Sequence, residues 1–300
     1  MTHEPSICAI SQGLTPLHVA SHVRICSCDG VIVLLDLRRS RYLSVAQTAA
    51  RSLMGQVDGW CTATSALDDA PSPTPPLTPP PTPFTTPDAQ RMVQRLLALG
   101  ILCRGAYTQP PAPAIEEACE SFDADAGGEA DAFAMTTSEA GEPPFKPKSG
   151  ISALRLARFA WSTAVSACWL RFFSLHTVVR RVTERLAPLP IGETESCTAS
   201  GSKHGTHRLD ALDTKPMSEA MRSALVAFDR LRPLAFTARD RCLHDSLALT
   251  MFLASEGHRA RWVIGVKLSP FGAHSWVQYG RTVLNDQHDY VRAFRPILVV

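Results

Sequence analysis

The chain has 300 residues and a mass of 32.6 kDa, a length that predicts two domains of ordinary size. Its 30 Lys and Arg residues against 28 Asp and Glu residues give a net charge of +2, which argues against a nucleic-acid binder that works through bulk charge. Nine cysteines without regular spacing indicate a reducing compartment rather than a disulfide framework. The sequence shows no secretory signal and no uncharged apolar stretch long enough to span a membrane, so we predict a cytoplasmic protein.

The first hundred residues have the pattern of a small α+β unit. The apolar run 31–37 follows the turn pair Asp29-Gly30, and the run 41–45 comes after a short basic turn. Together they predict neighbouring strands of a meander, and the spacing of Cys26 and Cys28 predicts a third strand with both thiols on one face.

Three helices are predicted after these strands. Ser44 can cap a helix over residues 46–54, and a short second helix is expected at 62–67. The third helix begins near Asp88 and ends at Gly100, with an apolar stripe at helical spacing formed by Met92, Val93, Leu96, Leu97 and Leu99.

Two stretches are predicted to remain outside the packed domains. Nine of the 17 residues in 71–87 are proline, which predicts a solvated polyproline-like spacer, with a docking site for a proline-reading partner as the alternative. Residues 105–150 contain nine acidic residues and few large apolar ones, and they are predicted to form a disordered acidic linker.

The second half begins with helical patterns. Residues 151–186 are predicted to form a core helix with six snorkelling arginines, and a helix lying on a membrane is the alternative. Pro216 opens another predicted helix over 217–231, which should end before Pro233. The loop between these helices contains Cys197, His204 and His207, whose spacing lacks the paired Cys-x-x-Cys of a metal site, so no metal is predicted.

The last sixty residues carry a candidate catalytic triad. A buried helix over 240–257 places Cys242 in its first turn, where unpaired amides and the helix dipole stabilise a thiolate. Strands are predicted at 261–268, 273–279 and 282–286, and antiparallel pairing of the last two brings His274 and Asp286 together.

The three residue types suit nucleophilic catalysis on a carbonyl group. A cysteine attacks, a histidine takes the proton and returns it to the leaving amine, and a carboxylate fixes the imidazole tautomer. Papain-like and transglutaminase-like enzymes use this order of cysteine, histidine and acid. By residue type alone, a core cysteine and a hydrogen-bonded histidine remain the alternative.

Several motifs occur in order and together resemble the leader peptidases of lasso-peptide biosynthesis, the B-protein family. They are Cys242-Leu-His-Asp-Ser-Leu-Ala-Leu249, Ile264-Gly-Val266, Pro270-Phe271, Ala273-His-Ser-Trp-Val277 and Asp286. The resemblance covers residues 217–300 and implies that Cys242 is the nucleophile, His274 the general base and acid, and Asp286 the orienting carboxylate. Ser275 departs from the family, which often has a small apolar residue there.

The N-terminal unit resembles the PqqD-like recognition element of ribosomal peptide pathways, a winged-helix fold here fused ahead of the peptidase. In that family a leader peptide adds a strand to the sheet edge and packs on the third helix. The resemblance implies contacts to a leader peptide from one strand and one helix. These residues are Tyr42, Leu43, Ser44, Arg91, Arg95 and Leu96.

The predicted architecture is therefore α+β, with a PqqD-type winged-helix domain at 1–104, the linker at 105–150 and a transglutaminase-like or papain-like cysteine protease domain at 151–300, whose catalytic core is 210–300. The resemblance implies a cysteine endopeptidase that removes the leader of a ribosomally made lasso-peptide precursor. The freed core N-terminus would pass to a partner, an asparagine-synthetase-like macrolactam synthetase. The alternatives are a non-catalytic leader-binding scaffold and an acyl transferase of transglutaminase type.

No cofactor, nucleic-acid partner or membrane span is predicted. The resemblance allows an ATP dependence, but the sequence contains no phosphate-binding loop of the Gly-x-x-x-x-Gly-Lys-Ser/Thr type.

Overall fold

The computed structural model describes residues 16–46, 50–51, 53, 57–60, 87–105, 115–124, 151–187, 216–236 and 242–300. These residues belong to two units, one drawn from 1–36 and 42–111 and the other from 37–41 and 112–300. The predicted helix at 62–67, nearly all of the proline-rich stretch and the loop with Cys197, His204 and His207 lie outside the described residues.

The first unit contains two small sheets. Strands β2 (Val23–Cys28), β3 (Val31–Asp36) and β4 (Arg41–Ala46) form one sheet in the order β2-β3-β4, as the meander prediction requires. The second sheet, in which β1 (Leu17–Val19) lies between β5 (Val57–Asp58) and β6 (Leu102–Arg104), was not predicted from the sequence. Its strands have two or three residues each, too few for an alternating pattern to be read.

The turn between β2 and β3 confirms the predicted turn pair. Cys28 pairs with Val31, so the connecting loop has two residues, Asp29 with φ 45° and Gly30 with φ 73°. Positive φ at both central positions is typical of the type I′ turn, whose twist matches that of the flanking strands. Cys26 and Cys28 are both buried, as their predicted common face requires.

The predicted third helix is confirmed as α1 (Pro87–Ala98), which Gly100 with φ 71° closes. Val93 and Leu96 face the core of the unit, together with residues from both sheets. The predicted helix start at residue 46 is wrong, because β4 continues to Ala46; Ala50 and Arg51 are helical, and most of the remaining span is outside the described residues.

The second unit is built on a five-stranded sheet in the order β11 (Arg295–Val299), β8 (Arg261–Leu268), β9 (Phe271–Tyr279), β10 (Thr282–Val283) and β7 (Glu120–Ser121). Its central hairpin joins β8 (Arg261–Leu268) to β9 (Phe271–Tyr279), and the register runs from Arg261 opposite Gln278 to Leu268 opposite Phe271. The sequence predicted β8 with the observed bounds, whereas β9 begins at Phe271, two residues before its predicted start at 273. Strand β11 (Arg295–Val299) and helix α6 (His288–Val291) were not predicted.

Part of the predicted linker is folded, which corrects the domain boundaries. Strand β7 (Glu120–Ser121) pairs in parallel with β10 (Thr282–Val283), so residues 115–124 belong to the second unit. Ala118 is buried with Trp276 and Phe294, and the Ser121 hydroxyl accepts a hydrogen bond from the His288 amide at 2.7 Å. The composition of the segment did not predict this strand, because only two of its residues pair with β10 and few of its side chains are large and apolar.

The predicted helix over 151–186 is two helices, α2 (Ala153–Phe172) and α3 (Leu175–Leu186). The chain becomes extended at Phe173 and Ser174, and the Ser174 hydroxyl accepts a hydrogen bond from the Thr177 amide to start the second helix. Within the described part of the chain, no helix is long and apolar enough to cross a membrane.

Helix α4 (Glu219–Ala235) starts at the cap Ser218 and continues past the predicted end, with Pro233 inside its last turn. Pro233 has no amide to donate, but the helix continues for two more residues and the Phe236 amide bonds to the Arg232 carbonyl at its end. The apolar face of the helix meets α5 (Cys242–Ser255), where Phe228 packs on Phe252 with ring centroids 5.5 Å apart. Helix α5 is thereby held between α4 and the sheet.

Candidate active site

Cys242 is the first residue of α5 and is half-buried. Burial by itself would raise the pKa of its thiol, but hydrogen bonds with the His274 ring and from the Ser275 amide lower that pKa below the ordinary value. The positive imidazole and the amide of Leu243 act in the same direction. The site thus favours a thiolate, as the sequence predicted for a cysteine at a helix N-terminus.

The Ser275 amide reaches Cys242 because the sheet is incomplete beside it. Strand β10 pairs with β9 only at Gln278 and Tyr279, and the Leu284 amide adds a bond to the Val277 carbonyl. Residues two apart in a strand direct their amides to the same side, so the Ser275 amide, like that of Val277, points toward the edge of β9 at which β10 pairs. Strand β10 does not extend as far as Ser275. The Ser275 N–H is left for the thiolate.

His274 lies beside Cys242 on β9, and Asp286 lies behind it. The Asp286 Oδ2 atom accepts a hydrogen bond from His274 Nε2 at 2.7 Å, which leaves Nδ1 for the thiol. Burial would lower the pKa of His274, but the bonds with Asp286 and Cys242 raise it to about 9. The geometry therefore favours an imidazolium paired with a thiolate at neutral pH.

Asp286 approaches His274 as predicted, although from a turn and not from a strand. Strand β10 ends at Val283, and the predicted strand over 282–286 is correspondingly shorter. Burial would raise the pKa of Asp286, but the His274 ring and the Gln287 amide, which donates to Oδ1 at 2.8 Å, keep it below the ordinary value. The carboxylate is therefore charged when it faces the imidazole.

Three aromatic side chains surround the His274 ring. Trp276 lies parallel to it with centroids 6.2 Å apart, Phe294 lies at 5.2 Å and Tyr290 at 5.0 Å. Gly265 is the residue opposite His274 on β8, and its missing side chain makes room for the Trp276 ring. These contacts hold the imidazole in one orientation.

Replacement of Gly265 by alanine is expected to destabilise the second unit and to displace the imidazole. The added Cβ would lie 2.8 Å from Trp276 ring atoms and 2.9 Å from the Phe294 Cβ, closer than carbon atoms pack. Overpacking of this kind costs about 1–3 kcal/mol. Thermal denaturation measures the loss, and an unchanged melting temperature would contradict the predicted clash.

A buried set of hydroxyl groups joins α5 to the central hairpin below the candidate triad. The Ser246 and Ser275 hydroxyls are 2.7 Å apart, and the Trp262 indole N–H lies 3.1 Å and 2.9 Å from their oxygens. The Ser275 hydroxyl also donates to the Val263 carbonyl at 2.9 Å. The hydroxyl of Ser275, the departure from the family pattern, is thus hydrogen-bonded to Ser246, Trp262 and Val263.

A second polar cluster beside the triad was not predicted from the sequence. Asp245 on α5 is bound by Arg232 of α4 and by Asn285, the neighbour of Asp286. A single acidic residue within the apolar sequence of α5 was the available signal. Among the described residues no group of three or more His, Cys, Asp or Glu side chains could hold a metal ion.

The predicted leader-binding residues are spread over a strand and a helix of the first unit. Tyr42, Leu43 and Ser44 lie on β4, an outer strand of its sheet. Arg91 and Arg95 are exposed on α1, and Arg91 pairs with Asp88. Leu96 is only 5 % exposed and packs in the core, so it is a core residue and not part of a peptide-contacting surface.

A comparison with protein families identifies the fold that carries the candidate triad. Residues 169–299 match the model of the transglutaminase-like superfamily. The C-terminal half of the chain therefore contains a transglutaminase-like core domain, which includes Cys242, His274 and Asp286.

A particular relative matches a short part of the chain. Over 45 residues the sequence is 49 % identical to the Microcin J25-processing protein McjB of Escherichia coli, a stretch that covers 15 % of this chain and 22 % of that protein. The chain thus matches about a fifth of the length of this curated relative. No solved structure matches the chain significantly.

Proposed function

We propose that the protein is a cysteine endopeptidase that removes the leader from a ribosomally made lasso-peptide precursor. One observation carries the catalytic part: Cys242, His274 and Asp286 form a continuous chain of hydrogen bonds at the N-terminus of a buried helix. The sequence likeness to a microcin-processing protein supports the choice of substrate.

In the proposed reaction the Cys242 thiolate attacks the carbonyl carbon of the scissile peptide bond. The His274 imidazolium then gives its proton to the leaving amine, the C–N bond breaks and an acyl-thioester remains. Water next attacks the thioester while His274 takes its proton, and the thiolate leaves. Asp286 holds the imidazole with Nε2 as donor and supports its charge during both steps.

The oxyanion formed in each step needs hydrogen-bond donors. We propose the Cys242 backbone amide as one of them, because the first amides of a helix have no intrahelical partner and carry the positive end of its dipole. The Ser275 amide is already directed at the sulfur atom.

The first unit is proposed to bind the leader peptide. An outer strand that carries Tyr42, Leu43 and Ser44 can pair with an added extended peptide, and Arg91 and Arg95 lie on the exposed surface of α1. Resemblance to PqqD-like elements supports this assignment. The released core peptide would pass to an asparagine-synthetase-like macrolactam synthetase as partner.

Two other functions follow from the same residues. A transglutaminase-like domain can transfer the acyl group to an amine in place of water, and a leader-binding protein can act as a scaffold without cleavage. Incubation with a synthetic precursor, followed by mass spectrometry, separates them. Hydrolysis adds one water across the two fragments, acyl transfer yields an adduct with the amine, and a scaffold leaves the precursor intact.

The reactivity of Cys242 toward iodoacetamide gives a test without a substrate. Because hydrogen bonds with His274 and Ser275 lower the pKa of its thiol, we expect Cys242 to be alkylated at neutral pH faster than the exposed Cys168. Peptide mapping by mass spectrometry measures both rates in one sample. Equal alkylation rates of the two thiols at neutral pH would favour the scaffold.

A further inference from the structure

Helix α5 carries a buried carboxylate that the proposed mechanism does not use. Asp245 lies one turn after Cys242 and is 4 % exposed. Acidic side chains are almost never buried to this extent unless they are paired. The partners of Asp245 therefore indicate its role.

Asp245 is held by two residues from different parts of the unit. Arg232 of α4 binds both carboxylate oxygens, with Nε 3.1 Å from Oδ1 and Nη2 2.7 Å from Oδ2. Asn285 donates a third hydrogen bond from Nδ2 to Oδ2 at 2.9 Å. A bidentate arginine pair of this kind has a fixed geometry.

Asn285 connects this pair to the orienting acid. Its Oδ1 atom accepts a hydrogen bond from the Val277 amide of β9 at 2.9 Å, so both ends of the side-chain amide are bound. The Asn285 side chain thereby replaces a backbone partner for Val277 after β10 has ended. Because Asn285 directly precedes Asp286, this double anchor sets the direction in which Asp286 leaves the sheet.

The cluster also balances charge around the candidate triad. Asp245 and Asp286 interact electrostatically, and two neighbouring carboxylates disfavour each other's ionisation. Arg232 offsets this repulsion, because its positive charge lowers the pKa of Asp286 and its guanidinium pairs with Asp245. The His274 ring and the Gln287 amide bind the Asp286 carboxylate directly.

We propose that Arg232, Asp245 and Asn285 are positioning residues that hold Asp286 against His274. The inference rests on the proposed function, since Asp286 has an orienting role only if the triad is catalytic. An ion pair that only joins α4 to α5 would need no residue besides Arg232 and Asp245. The bond from Asn285 to the same carboxylate is the feature that directs the pair toward Asp286.

The test replaces the ion pair, of which Asp245 is buried and Arg232 is partly exposed, by apolar side chains of similar volume, in Arg232→Met with Asp245→Leu. Such replacements are often neutral or stabilising for the fold. We expect an unchanged melting temperature, a fall in kcat of about 10–100-fold from misplacement of the acid, and little change in KM. The alkaline limit of kcat/KM should also move to lower pH, because a displaced Asp286 supports the imidazolium less.

A matched control removes an arginine–glutamate pair at the opposite end of α5. Glu256 is bound by Arg158 and Arg155, away from the triad. The double variant Arg158→Met with Glu256→Leu should keep the wild-type kcat and alkaline limit. A second variant, Asn285→Ala, removes the connection but keeps the ion pair, and it should lower kcat about 10-fold.

Iodoacetamide labelling of Cys242 across pH separates the possible failures. If the wild type cleaves its precursor and both network variants retain its kcat and its alkaline limit, the positioning role is wrong and the proposed function stands. If the wild type shows neither cleavage nor a reactive thiolate, the proposed function fails, and the positioning role with it. Should the double variant lose its cooperative melting transition, Asn285→Ala decides the question alone.

Discussion

Replacement of Cys242 by alanine is expected to abolish cleavage of a precursor peptide. The sulfur atom forms the acyl-thioester, and no other described side chain bonded to His274 can replace it, because the remaining partner of the ring is the Asp286 carboxylate. Loss of a triad nucleophile lowers kcat by roughly 10⁶-fold in well-studied hydrolases. Chromatographic assay of the released leader measures this loss.

The matched control for Cys242→Ala is Cys168→Ala. Cys168 is exposed on α2 and lies outside the hydrogen-bonded chain, so its replacement should leave cleavage unchanged. Binding of the leader should survive in Cys242→Ala, since the proposed peptide-binding strand is in the other unit. Cleavage by Cys242→Ala at the wild-type rate would overturn the proposed peptidase.

The second large effect is expected from Asp286→Asn. An asparagine side chain has nearly the same shape but no charge, and in a comparable triad the loss of this carboxylate costs about 10⁴-fold in kcat. The bond with Asp286 is a main cause of the raised His274 pKa, which is about 9. Without the carboxylate, the pKa of His274 falls and less imidazolium is available to protonate the leaving amine.

The pH profile makes the sign of this effect measurable. In the wild type, kcat/KM should decline on the alkaline side as His274 loses its proton near pH 9. On the acid side it should decline only below the ordinary range of a thiol, because the pKa of Cys242 is lowered. Asp286→Asn should move the alkaline limit to lower pH; an unmoved limit would mean that Asp286 does not support the imidazolium.

The local elements of the second unit were predictable because their signals are local. Strand β8 has an apolar run bounded by a turn, and α5 is apolar over most of its length, so both could be assigned from sequence. The order of Cys242, His274 and Asp286 also pointed to one site, since a helix N-terminus and an antiparallel hairpin each restrict where these side chains can lie.

Other features depend on contacts distant in sequence. Strand β7 arises from a stretch whose composition predicted a linker, and it exists because two residues pair with β10 more than 160 positions away. Helices α2 and α3 were predicted as one helix, because a single capping hydroxyl, that of Ser174, marks the break between them. A two-residue strand such as β7 is stabilised by contacts with residues far away in the sequence, and a short window of sequence does not contain them.

Local sequence order was enough to predict the fold class of the C-terminal half, the candidate nucleophile, the histidine beside it and the acid behind that histidine. The groups that set the pKa values and positions of these side chains became visible only in the tertiary structure. They are the Ser275 amide, which β10 is too short to bind, the space at Gly265, and the Arg232–Asp245–Asn285 cluster. The difference arises because residue types and helix positions follow from neighbouring residues in the sequence. Burial, charge balance and the direction of Asp286 depend on three segments meeting in space.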